Sequence, residues 1–288
     1  MRLVRFGERG RERPGVLDES QVVRDLSELV QDWVPELLAP EQLARIADLD
    51  ARDFPEVPPH TRLGVPLKGV GKLIGIGMNY TDFAAQGKRA IPAEPSLFTK
   101  AISCLTGPDD EVMLPRGSTR TDWEVELGVV VGRTARYVDK ACALDHVAGY
   151  CLVNDLSERE FQNDRGGTWD KGKGCDTFGP VGPWLVTKDE IRDPQDVDLW
   201  LEVNGTRHQN GHTRNMIFPV ADLLSYVSSF MTLEPGDILT TGTPAGVGAG
   251  LDPPVFLEAG DVMHLGSDKL GRQRHQVTAF RSLRCMQI

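Results

Sequence analysis

Thr121-Asp122-Trp123-Glu124-Val125-Glu126-Leu127-Gly128-Val129-Val130-Val131 is the stretch on which the reading of this chain turns. At period two, Trp123, Val125, Leu127, Val129 and Val131 form one unbroken apolar face. Asp122, Glu124 and Glu126 fall on the alternate positions, so the stretch predicts a strand with one face in a core. Glu124 and Glu126 then stand side by side, and two like charges there raise each other's pKa unless a cation lies between them. A hard divalent ion with oxygen ligands, Mg2+ or Mn2+, would satisfy the pair. The alternative is an edge strand whose two glutamates face water.

The rest of the composition is that of a globular chain long enough to bury a large core. It has 288 residues, 40% hydrophobic and 26% charged. A formal charge of −10, from 32 basic and 42 acidic residues, leaves no basic footprint for nucleic acid. It does not exclude a small anionic substrate, because a bound metal inverts the sign locally. Cys104, Cys142, Cys151, Cys175 and Cys285 are odd in number and never spaced CxxC, which reads as reduced thiols rather than a zinc site or disulfide frame. Residues 1–9 carry no apolar signal region and no run approaches membrane-spanning length, so a cytoplasmic protein with no membrane partner is expected.

Taken in order, residues 1–69 predict a small N-terminal α/β domain and connector, and residues 70–288 the main domain. Leu3–Phe6, Val16-Leu17 and Gln21–Leu26 read as strands, Pro40–Ala47 as a helix, and the prolines at 55, 58, 59 and 66 as an extended connector. Lys72–Gly77 reads as a strand. Its Gly75-x-Gly77 does not make a dinucleotide site, since the third glycine position is Tyr80. Leu97–Thr99, Glu111–Leu114 and Gly149–Asp155 continue a β-rich pattern, with Asp155 at a strand end as a third candidate oxygen ligand or else a turn or cap residue. Ser157–Gln162 predicts a helix with Arg159 and Gln162 on one face. Lys173 falls in a glycine-flanked segment, 172–174, that reads as a mobile loop, and the last third alternates strands with one helix marked by Val220, Leu223, Leu224 and Val227. Val277–Phe280 is the last expected strand, and His208 to His212 reads as a polar loop. The glycine-rich loop Thr240–Gly248 offers Gly242, its neighbouring amides and the Thr243 hydroxyl as a nest for a carboxylate, with a structural turn as the competing account.

Asn79-Tyr80, Glu124-x-Glu126-Leu-Gly, Asn154-Asp155, Arg159-x-x-Gln162, Trp169-x-x-x-Lys173-x-x-Asp176-Thr-Phe-Gly-Pro and Thr241-Gly-Thr-Pro-x-Gly-Val-Gly together resemble the fumarylacetoacetate hydrolase family, in family order from about residue 71. The 171–180 and 182–190 stretches look like its 2,4-diketo-3-deoxy-L-rhamnonate hydrolase-like subgroup. The resemblance implies an α+β, β-rich fold: a C-terminal mixed β-roll carrying Mg2+ or Mn2+ on Glu124, Glu126 and Asp155. It implies Lys173, Arg159 and Gln162 as catalytic residues, with Tyr80, Gly242 and Thr243 touching the substrate. Asp82 matches a further metal position in some members, and members are commonly homodimers.

What the resemblance implies for chemistry is a metal-dependent enzyme on a small 2-oxo or 2,4-dioxo acid, with hydrolysis of a C–C bond first among its reactions. This chain departs from the family at one place. Where members carry Asn-Tyr-x-Asp-His-x-x-Glu, it reads Asn79-Tyr80-Thr81-Asp82-Phe83-Ala84-Ala85-Gln86. Phe83 cannot accept a proton and Gln86 is no base at neutral pH. Decarboxylation, dehydration or keto–enol isomerisation therefore stand beside hydrolysis, as does a non-catalytic binding protein. Residues 80–95 read as a segment that closes over the site.

Overall fold

The computed structural model describes residues 1–88 and 90–282, so Cys285 lies outside the described residues. The architecture is β-rich α+β, as expected. The strand at the centre of the reading lies in a ten-stranded mixed sheet. Val125–Val131 runs antiparallel to Val147–Asn154 on one side and to Ile238–Thr240 on the other. Ile238–Thr240 continues the sheet in parallel with Leu73–Gly77, and Ser96–Lys100 closes that edge. A five-stranded sheet, with Asp198–Val203 and Val262–Ser267 near its middle, packs against the first. Covered on both faces, all seven residues of Val125–Val131 are buried. Each buried Val or Leu there contributes about 1.5–3 kcal/mol.

The central strand is shorter than its pattern. Only Val125–Val131 is regular, and Thr121-Asp122 pairs separately with Ser157-Glu158. Side chains interrupt the ladder at the junction: the Glu124 amide donates to Asn154 Oδ1 at 3.1 Å and the Val125 amide to Gln209 Oε1 at 2.9 Å. Glu124 and Glu126 consequently point into protein, 6% and 1% exposed, and the solvated edge strand is excluded.

The helices at Pro40–Ala47 and Val220–Ser228 follow their periodicity, whereas the helix expected over Ser157–Gln162 begins only at Arg159 because Ser157-Glu158 pairs as a strand. Helix α1 (Pro40–Ala47) starts on its proline and buries Leu43. Helix α2 (Thr81–Gln86) occupies the segment expected to close over the site. Helices α3 (Arg159–Asn163) and α4 (Asp170–Lys173) are short, and α5 (Val220–Ser228) buries Val220, Leu223, Leu224 and Val227 against the core. The expected loop at His208–His212 is instead the strand Thr206–His212, joined to Asp198–Val203 through Asn204-Gly205, both at positive φ. Asn-Gly between two runs is a strong hairpin signal, here masked by the polarity of the second strand. The last strand is Gly271–Thr278 rather than Val277–Phe280, because its inward positions, Gln273 and His275, are polar.

The N-terminal strands do not stand apart. Arg2 and Leu3 pair with Val186 and Leu185, so Arg2–Phe6, Arg13–Leu17 and Val23–Asp25 extend the large sheet. A division near residue 70 is thus a proposal about modules in the sequence, not a break in the sheet. Arg62 ties the two parts. It donates to Asp110 at 2.7 and 2.6 Å and to Glu12 at 3.0 Å. Burial alone would raise the Asp110 carboxyl, but Arg62, the Gly107 amide and the Thr106 hydroxyl together hold it down at about 2. A carboxyl depressed in the folded state contributes stability above its ordinary value of about 4, lost as pH falls from there toward about 2. Arg62→Met should therefore cost about 1–2 kcal/mol at neutral pH, allowing for the partial exposure of the guanidinium. Its acid-unfolding midpoint should shift to higher pH, which circular dichroism across an acid titration would check.

Candidate metal centre

Two strand ends converge on one spot. Glu124 precedes the Val125–Val131 strand and Glu126 is its second residue, Asp155 follows the Val147–Asn154 strand, and the Asp155 amide donates to the Glu124 carbonyl at 2.9 Å. One carboxylate oxygen from each of Glu124, Glu126 and Asp155 lies within 4.8 Å of the others, and all three residues are buried. Among the described residues this is the sole gathering of three metal-capable side chains.

The charges around it are arranged as a chain. Arg159 on α3 reaches Asp122 Oδ2 at 2.7 Å and Glu124 Oε1 at 2.6 Å. Lys173 donates to Glu124 Oε2 at 2.8 Å and, on its other side, to Asp155 Oδ2. The sequence places Lys173 in a mobile loop; the structure puts it in α4, fully buried, because its ammonium has carboxylates to meet. Lys100 reaches the second Asp155 oxygen at 2.6 Å. Polarity alone did not single out Lys100 in the sequence, since it closes an otherwise unremarkable strand, Ser96–Lys100.

Glu126 is the member left without a cation. Its carboxyl is pushed well above the usual range by burial first, then by the charges of Asp155 and Glu124, with Lys173 and the Gly242 amide only partly offsetting them. Asp155 goes the other way: burial raises it, but Lys100 and Lys173 more than reverse that. An all-oxygen donor set with one carboxylate short of positive charge fits a hard divalent ion. Glu124, Glu126 and Asp155 are the residues that would hold it.

A cavity of about 370 Å3 opens onto the centre, lined by Glu124, Glu126, Arg159, Gln162, Lys173 and Thr243 on its polar parts and by Ile76, Met78, Phe83, Trp169 and Val247 on its apolar parts. Gly75 and Gly77 have a role here that is unrelated to nucleotides. A Cβ at Gly75 would meet the Phe98 ring at 2.0 Å and one at Gly77 the Trp169 ring at 2.4 Å, so both glycines make room for aromatic rings. A cleft of about 670 Å3 between α1 and the large sheet is roomier but lacks such a cluster, so volume does not mark the site.

The other expected site residues are spread more widely. Thr243 lines the cavity, but its hydroxyl already donates to the Val125 carbonyl and accepts from Gln209 Nε2. Gly242, in a left-handed conformation, spends its amide on Glu126 Oε2 at 2.9 Å and so positions a candidate ligand rather than lining the cavity. Tyr80 is fully buried in the core and outside the cavity lining. Its hydroxyl has no hydrogen-bond partner among the described residues, and burial, then Glu126, raises its pKa. Asp82 caps the Phe83 amide and stays outside the carboxylate cluster. His208 packs on Trp123 and His212 pairs with Asp196, and neither lines the cavity. Gln86 stitches α2 to the glycine-rich loop, donating to the Gly250 carbonyl and accepting from the Gly246 amide, both at 2.9 Å.

Asp122 holds that loop from the inside, accepting from the Gly248 and Ala249 amides as well as from Arg159. Removing it takes one of two carboxylates from the buried Arg159 guanidinium, leaving Glu124, and strips the acceptor from the Gly248 and Ala249 amides. Asp122→Ala should cost about 3–5 kcal/mol, and a thermal melt showing less than a quarter of that loss would contradict the pairing.

A β-rich fold with three buried carboxylates gathered at its strand ends is a framework that could hold a divalent metal. Residues 72–278 match the family described as fumarylacetoacetate (FAA) hydrolase C-terminal. The chain belongs to that family. It is similar to the solved fumarylacetoacetate hydrolase of Exiguobacterium antarcticum, with TM-score 0.87, 36% identity, and coverage of 97% of this chain and 100% of that one. It is also similar to the maleylpyruvate hydrolase of Sphingobium sp. SYK-6 solved with manganese(II) and pyruvate (TM-score 0.80, 30% identity, 98% and 100% coverage). The 5-carboxymethyl-2-hydroxymuconate delta-isomerase of Mycobacterium smegmatis resembles it too (TM-score 0.78, 29% identity, 98% and 100% coverage). Hydrolases and isomerases thus share this framework. No helix among the described residues is long and apolar enough to cross a membrane.

Proposed function

We propose that this protein is a Mg2+- or Mn2+-dependent enzyme acting on a small 2-oxo or 2,4-dioxo acid, and that it moves a proton or releases CO2 next to the 2-oxo group more readily than it hydrolyses a C–C bond. The observation that carries the second half is the cavity lining. Its described titratable residues are Glu124, Glu126, Arg159 and Lys173, with Phe83 and Gln86 on the α2 side. None of these is a histidine poised to activate water.

A divalent cation bound at the three carboxylates would supply Lewis acidity toward the 2-oxo group. The chain's own residues do the rest. Glu124, Glu126 and Asp155 fix the site, and the backbone bond from Asp155 to the Glu124 carbonyl keeps their spacing. Burial lowers the proton affinity of Lys173, but Asp155 and Glu124 more than restore it. With its three N–H groups directed at Glu124 and Asp155, the ammonium sets a positive charge in the cavity wall beside developing negative charge on a substrate oxygen. Gln162 has its oxygen taken by Arg159 at 3.1 Å, which leaves its amide nitrogen as the donor for a second substrate oxygen.

C–C hydrolysis is the second reading, supported by the likeness to two hydrolases. A panel of acylpyruvates, oxaloacetate, 2-hydroxydienoates and 3-deoxy-2-oxo sugar acids, run with Mn2+ and with EDTA, tests both. Expected is EDTA-sensitive isomerisation or decarboxylation at least about 100-fold faster than acylpyruvate hydrolysis. Turnover of none of them in the presence of Mn2+ would leave only a ligand-binding homologue. The family resemblance also supports a cytoplasmic homodimer, which light scattering on the purified protein would check.

A further inference from the structure

Lys100 takes no part in the function proposed above, yet its ammonium touches the carboxylate centre. Its side chain and that of Asp155 are both 0% exposed, and Nζ lies 2.6 Å from Asp155 Oδ1. It also donates to the Leu156 carbonyl at 3.1 Å, one residue further on. The contact at Oδ1 is a buried ion pair. Oδ2, by contrast, faces the Lys173 ammonium that also holds Glu124 Oε2. The two oxygens of one carboxylate are thereby sorted, Oδ1 toward Lys100 and Oδ2 toward Lys173 and, through it, Glu124.

We propose that Lys100 is a positioning residue: anchored on the Leu156 carbonyl, it grips Asp155 by Oδ1 and so presents Oδ2 to the cation shared with Glu124 and Glu126. This rests on the three carboxylates being a metal site. A lysine serving only to balance charge predicts the opposite sign of effect. It would repel a nearby divalent ion, and its removal would tighten metal binding. A lysine that orients a ligand loosens binding when removed, as partners of metal ligands do.

Mn2+ titration calorimetry on the full chain separates the two. Lys100→Met should weaken Mn2+ binding by about 10–100-fold. Lys100→Gln, which keeps a donor, should weaken it less. Because Lys100 acts through Asp155, adding Lys100→Met to Asp155→Asn should weaken binding no further than Asp155→Asn alone. Unchanged or tighter binding in either folded lysine variant overturns the proposal, and so does full additivity in the double variant. Should Lys100→Met fail to fold, Lys100→Gln decides. Wild-type affinity in Asp155→Asn would instead fail the metal-site reading itself.

Discussion

Glu126→Gln is expected to abolish tight Mn2+ binding while raising the melting temperature of the metal-free protein. Both effects come from one carboxylate. Glu126 is buried beside Asp155 and Glu124, and its charged form is disfavoured by burial and by both neighbours. Glutamine keeps the shape, and its side-chain oxygen can still accept the Gly242 amide at the place now held by Oε2. Removing the charge relieves repulsion without leaving a donor unmet, a gain of about 1 kcal/mol or more, or roughly 2–4 °C in a chain of this size. The metal pays the opposite penalty, losing one of three anionic ligands in a site where the protein offers no described substitute. Affinity should fall by more than about 100-fold, the upper end for merely indirect partners. Calorimetry with Mn2+ and a thermal melt without it check the two halves. Unchanged Mn2+ affinity would end the metal assignment, and a lowered metal-free melting temperature would show that Glu126 is held by partners beyond the Gly242 amide.

That pairing of a stability gain with a functional loss explains why the centre was legible in the sequence. Two glutamates one residue apart within an apolar strand are a local conflict, and such conflicts mark functional sites. The period-two pattern located Glu124 and Glu126, and the strand end located Asp155. The same local logic missed whatever depends on distant neighbours. Lys173 read as part of a mobile loop because nothing nearby in sequence shows that Asp155 and Glu124 hold its ammonium in a buried helix. Lys100 carries no signal at all, its partner being 55 positions further along the chain. Gly179–Thr187 went unread as a strand since Pro180 and Pro183 argue against one, yet it pairs with both Val147–Asn154 and Arg2–Phe6. The Thr243 hydroxyl, read as a free donor, is spent on the Val125 carbonyl 118 positions away. Pattern reads which residues are unusual; topology decides what they meet.

Phe83→His combined with Gln86→Glu should raise acylpyruvate hydrolysis by about 100-fold or more, within the roughly 10²–10⁴ that a positioned general base contributes. Both positions lie on α2 three residues apart, on one helical face, and both line the cavity. An imidazole at 83 supplies the proton acceptor, and a carboxylate at 86 orients and polarises it, so either change alone should do less. The structure adds a cost. Gln86 donates to the Gly250 carbonyl while accepting from the Gly246 amide, and an ionised carboxylate can only accept. Gln86→Glu therefore keeps one bond to the loop and sets a negative charge against the Gly250 carbonyl, loosening α2 by about 1–2 kcal/mol. The single Gln86→Glu variant should consequently be worse than wild type on the native reaction, and the double variant should gain hydrolysis in kcat while its KM rises. Hydrogen exchange at the Gly246 amide would report the loosening independently of any substrate. If wild type already hydrolyses acylpyruvates as fast as the double variant, another group activates water here. The replacement of the histidine and glutamate by Phe83 and Gln86 would then carry no consequence for the reaction.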